Sequence, residues 1–184
     1  MRWIPIVIVA AAACTGAQPP VQSARASEAA PNGAQLLEIA DVLAGNGDHV
    51  RAVQYLVAAQ KLGVPDRDVI GRLLELDATD GQYRLAIEHA ETFLRAHPRD
   101  AHVRQCLASF YAAVGASSDA IREYDRVLAQ RPELADPHYA LATLLRDAGI
   151  EHARMNAHYR AYIERAPHGR FAEEARAGLF QELP

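Results

Sequence analysis

The sequence predicts an all-α chain: an α-solenoid of about four helix–turn–helix repeats closed by a C-terminal capping helix. Three observations predict it. Gly47, Gly81, Gly115 and Gly149 are each 34 residues apart. Other positions keep the same step: Ala52, Ala86 and Ala120; Ile39, Leu73, Leu107 and Leu141; Pro98 and Pro132, with Pro65 and Pro167 one residue from that phase. Between the glycines, apolar residues recur at helical spacing, as in Cys106, Leu107, Phe110, Tyr111 and Val114, then Ala120, Ile121, Tyr124, Val127 and Leu128. One helical hairpin hides only one face, so a repeated hairpin gains stability by stacking on its neighbours.

Taken in order, residues 1–13 read as a signal peptide: Arg2, the apolar run Ile4 to Val9, then Ala10 to Ala13. The run is shorter than the roughly twenty apolar residues a spanning helix requires. Residues 14–32 carry Gly, Pro, Ala, Ser and Gln without an aromatic residue, the composition of a flexible tether. Ala11-Ala12-Ala13-Cys14 resembles the lipobox of bacterial lipoproteins. That resemblance implies lipidation of Cys14 and anchoring to a membrane through its acyl chains. Thr15 stands where inner-membrane retention often has Asp, which implies the periplasmic face of the outer membrane. Plain export after an Ala-x-Ala cut is the alternative.

The repeats by phase are 33–66, 67–100, 101–134 and 135–169, followed by a capping helix in 170–184. The third is the clearest, with Leu107-Ala108, Tyr111, Gly115, Ala120, Tyr124 and Pro132. These residues and the period resemble the tetratricopeptide repeat (TPR) family. The family's Trp at the fourth position is missing; Leu36, Ile70, Arg104 and His138 stand there. The fourth repeat has one extra residue before Pro167 and puts Arg154 where a small Ala is expected. Asp136-Pro137 reads as an N-cap followed by Pro at the first helical position, and Ser118 or Asp119 as the cap of the next helix back. Phe171, Ala175 and Leu179 share one helical face, with Ala172 and Leu183 nearby, so the last helix is expected to cover the final repeat.

Composition narrows function. Lys plus Arg total 19 against 23 Asp plus Glu, a net charge of −4, which argues against binding nucleic acid through its phosphates. Cys14 and Cys106 are too few for a disulfide framework. Eight histidines raise the question of metal, but no H-E-x-x-H is present. His152 and His158 are six apart and His89 and His97 eight apart, spacings that do not converge on one ion, so they read as scattered solvated side chains. Cys106 reads as a small buried hydrophobe. The glycines are turn residues, with no phosphate loop. Neither enzyme activity, metal nor cofactor is expected.

The TPR resemblance implies an inner face formed by the first helix of each repeat. Its positions give Asp41, Asp68, Glu75, His102, Gln105, Ser109, Tyr139, Thr143 and Arg146 as candidate peptide-binding residues, interspersed with small ones such as Gly71 and Ala112. Lys61 is the single lysine, so the basic clamp with which some members hold a C-terminal carboxylate is not expected. The acidic half (Asp41, Asp68, Glu75) suggests a partner segment with some basic character. The expected function is a non-catalytic, lipid-anchored scaffold for a cell-envelope complex. The alternative is a soluble exported adaptor for an envelope or cell-wall enzyme.

Overall fold

The computed structural model describes residues 30–149 and 152–179. The signal peptide, Cys14, nearly all of the tether and residues 180–184 lie outside the described residues. All regular structure among the described residues is helical: α1 Gly33–Gly45, α2 His49–Lys61, α3 Asp66–Thr79, α4 Tyr83–Ala96, α5 Ala101–Ala113, α6 Ser117–Gln130, α7 Ala135–Ala148, α8 His152–Arg165 and α9 Ala172–Ala177. The first eight form four consecutive hairpins, and α9 closes the last one.

Each hairpin turns on its periodic glycine. Gly115 has φ 78°, and a Cβ there would meet nothing within 4 Å. The requirement is therefore the left-handed backbone itself, which a side-chain-bearing residue adopts at a cost. Helix starts vary more. Asn32 and Gln35 form a reciprocal capping box on α1, and the Asp100 carboxylate accepts from the His102 and Val103 N–H groups of α5. Two expected caps are corrected. Helix α7 starts at Ala135, so Pro137 is its third residue, where the missing N–H still has no intrahelical acceptor to serve. Helix α6 starts at Ser117, which places Ser118 and Asp119 inside its first turn, where Asp119 complements the helix dipole and accepts from Arg122.

Among the described residues the core is a chain of three clusters. Ala40, Ala52, Leu56, Val69 and Leu76 join α1 to α3. Ile70, Leu74, Ala86, Ala90, Phe93, Leu94, Val103, Leu107 and Phe110 join α3 to α5. The largest, including Ala108, Tyr124, Leu141, Leu145, Tyr159 and Tyr162, runs from α5 to α9. Ala52, Ala86 and Ala120 are fully buried, since any larger side chain would push the paired helices apart. Cys106 is half-buried against the middle cluster, and burial pushes its thiol pKa up.

The fourth repeat breaks the period in a defined way. Met155, Tyr159 and Tyr162 are buried 35 residues after Ala120, Tyr124 and Val127, so the extra residue precedes α8 and turns its buried face by one position. Arg154 is thereby moved out of the small-residue position and donates to Asp125 of α6 at 2.6 Å. At the C-terminal end, Ala172 and Ala175 are buried while Phe171 and Leu179 pack beside them, which gives α9 its capping role. Helix α9 stops at Gly178, where a Cβ would come within 2.9 Å of the Tyr159 ring.

Candidate functional site

Eight of the nine candidate inner-face residues are distributed among four hollows. Asp41 and Glu75 border one of about 380 Å³ formed by α1, α2 and α3. His102 lines a second of about 720 Å³. Gln105, Ser109, Tyr139 and Thr143 meet around a third of about 450 Å³ between α5, α7 and the segment leading into α9. Arg146 borders a fourth with His152, Glu174 and Arg176. Asp68 lies one turn before Arg72 on α3 and lines none of the four.

Local chemistry alters what these residues offer. Arg72 donates to both oxygens of Asp41, at 2.7 and 3.0 Å, and to the Asp68 carbonyl at 2.7 Å. The bond to Asp41 raises the Arg72 pKa further, so the guanidinium stays charged and compensates much of the acidity expected there. Tyr139 is engaged by the cap. Its ring lies parallel to Phe171 at 4.2 Å, its hydroxyl donates to Glu174 at 2.7 Å, and the Arg170 guanidinium sits 4.4 Å from the Phe171 ring centre. Burial, then the Glu174 contact, raises the Tyr139 pKa and keeps that hydroxyl a donor. Ser109 and Thr143 bond the carbonyls one turn back, at 3.1 and 3.0 Å, and Ser109 also meets the Tyr124 hydroxyl at 2.8 Å.

The second hollow holds the groups that sequence reasoning missed. Arg67, Arg99 and Arg131 border it with His102, above Ile70, Gly71 and Val103. Each arginine follows the last by 32 residues, close enough to the repeat period to have been noticed. Asp100 is buried here. Burial disfavours its charge, yet hydrogen bonds from the Val103 N–H and Arg67 outweigh it and hold the carboxyl below its usual range.

The histidines are less scattered than expected. His89 meets the buried Asp77 at 2.7 Å, and His49 pairs with Asp80. His138 of α7 and His158 of α8 face each other, Nδ1 to Nδ1, at 2.9 Å, while His138 Nε2 lies 3.2 Å from the Pro132 carbonyl. A carbonyl only accepts, so Nε2 carries the hydrogen and neutral His138 receives one from His158. Burial lowers the His138 pKa, and Arg165, which donates to the same carbonyl at 2.9 Å, lowers it further. The unfolded chain takes up a proton near pH 6.5 while native His138 resists, so stability should fall as pH drops below about 6.5 and level off under the native pKa. Melting temperatures from pH 8 to 5 test this. The His138→Gln variant should show a shallower slope, and an identical slope would refute the assignment. Among the described residues no three His, Cys, Asp or Glu side chains are grouped to hold a metal ion.

Four stacked hairpins with periodic turn glycines, buried alanines and a helical cap define a TPR solenoid. Neither a family model nor a curated protein matches the sequence. Solved structures do share the fold. A tetratricopeptide repeat protein from Parabacteroides merdae matches with a TM-score of 0.71 at 20% identity, over 80% of this chain and 58% of that one. MamA from Desulfovibrio magneticus RS-1 matches with a TM-score of 0.63 at 22% identity, over 74% and 76%. YrrB, a TPR protein with an unusual peptide-binding site, matches with a TM-score of 0.65 at 16% identity, over 79% and 74%.

Proposed function

We propose that the protein is a non-catalytic interaction scaffold that holds a segment of a partner polypeptide, and that acyl chains on Cys14 anchor it to the periplasmic face of the outer membrane, where it supports assembly of an envelope complex. The observation that carries the binding reading is the hollow between α5 and α7. Its walls are small or polar (Ala112, Ser109, Gln105, Thr143), with the Tyr139 and Phe171 rings at one end and the Asp136 and Asp147 carboxylates nearby. Such a surface offers hydrogen bonds and an aromatic contact to an extended chain. The carboxylates there and Glu75 in the first hollow would favour basic side chains in that segment. YrrB, of the same fold, has a peptide-binding site.

The anchor reading rests on the lipobox-like tetrapeptide and the tether composition. No described helix is long and apolar enough to cross a membrane. A photo-crosslinking residue in place of Gln105 is expected to trap a polypeptide in intact envelopes, and Gln105→Trp, which fills the hollow, to reduce partner recovery about tenfold at unchanged melting temperature. Undiminished recovery with Gln105→Trp would exclude this hollow. Labelled palmitate should enter the wild type and not Cys14→Ala; no label in the wild type would favour the soluble exported adaptor.

A further inference from the structure

The hollow over Gly71 has a chemistry opposite to that expected of the inner face. Its rim carries Arg67, Arg99, Arg131 and His102. The single lining carboxylate, Asp100, has a side chain only 5% exposed and is occupied by Arg67 and the α5 N–H groups. Arg131 reaches the exposed Glu133 outside the hollow, the kind of surface pair worth little. Arg99 makes no hydrogen bond or ion pair among the described residues, so its planar set of donors is available.

Gly71 points independently to an occupant. It lies in the interior of α3, where glycine costs helix stability relative to alanine. Its φ is not positive, and a Cβ there would meet nothing within 4 Å. Neither backbone conformation nor packing of this chain calls for glycine at that place. What a side chain would fill is the hollow. Beneath the arginines, Ile70 and Val103 supply an apolar floor.

We propose that this hollow docks an acidic stretch of the partner polypeptide, with its carboxylates on Arg99 and Arg131 and an apolar side chain lying over Gly71 onto Ile70 and Val103. The inference rests on the scaffold reading and gives the partner a second, acidic stretch, separate from the segment with basic side chains that the hollow between α5 and α7 favours. Bidentate guanidinium–carboxylate bonds supply register and the apolar contact supplies desolvated area.

The test uses the purified full chain and a short dye-labelled peptide of glutamates around one leucine, with a matched peptide carrying lysines for the glutamates. At physiological salt the glutamate peptide should bind at least about tenfold more tightly than the lysine peptide. Arg99→Glu should weaken it by about tenfold or more. Gly71→Leu should also weaken it by that factor without lowering the melting temperature, because the added side chain enters open space in a helix. Equal or tighter binding of the lysine peptide, or glutamate-peptide binding indifferent to both substitutions, would overturn the inference. If that happens while the crosslinker at Gln105 still traps a partner, the scaffold reading survives and this hollow alone is misassigned. If the crosslinker also traps nothing, the scaffold reading fails with it.

Discussion

Tyr162→Ala is expected to lower the free energy of unfolding by about 3–5 kcal/mol, the range for deleting a large aromatic from a packed core. Tyr162 is 1% exposed in the cluster that ties α5 to α9. Its ring centre lies 5.4 Å from that of Tyr139 and 6.3 Å from that of Phe171, and its hydroxyl accepts the Phe171 N–H at 3.1 Å. Truncation opens a cavity between α7 and α8 and releases the segment that leads into α9. Tyr162→Phe keeps the ring and removes only the acceptor, so it should cost about 1 kcal/mol. Urea denaturation measures both, and hydrogen exchange in α9 should accelerate more in the alanine variant. A loss below about 1 kcal/mol for Tyr162→Ala would mean that the cap does not depend on this ring.

Glu123→Leu is expected to cost a comparable 3–5 kcal/mol or so, for a different reason: it leaves a buried cation without its counter-ion. The Arg104 and Glu123 side chains are 10% and 6% exposed and bond at 2.7 Å between α5 and α6. The second Arg104 nitrogen donates to the Pro98 carbonyl at 2.7 Å, while its Nε has no partner. The other Glu123 oxygen accepts from Arg126 at 2.6 Å. Removing both charges is gentler, since a well-packed apolar pair avoids the desolvation that the ion pair must overcome. The double variant Arg104→Met with Glu123→Leu should recover most of the loss, and a double-mutant cycle from chemical denaturation reads the coupling. Additive losses would show that the two residues act independently.

The hairpins were legible because the backbone itself imposes their period. Gly115 must be left-handed, a constraint that returns in all four repeats, and Ala120 must be small, a constraint that returns in the first three. Lateral contacts were not legible in the same way. Asp41 finds Arg72, and Tyr139 finds Phe171 and Glu174, across distances in sequence that depend on how neighbouring hairpins are rotated. The same rotation brings His138 and His158 together from different helices, whereas spacing within a single helix separated the histidines. Helix starts were misplaced by a residue or two at Pro137 and Ser118 because tertiary packing, more than any capping side chain, fixes where those helices begin. The arginine hollow was missed since its members sit at repeat junctions, outside the inner-face positions. Only Gly71 and His102 among its lining had been placed on that face.

The uneven sizes of the three core clusters have a mechanical consequence. Among the described residues the cluster joining α1 to α3 contains five buried side chains, against ten in the cluster joining α5 to α9. In a linear stack each hairpin is held only by its immediate neighbours. Tension entering from the N-terminal side therefore meets the weakest joint first. Helices α1 and α2 would separate from the stack first, as a fuse, while the arginine hollow and everything beyond it keep their shape.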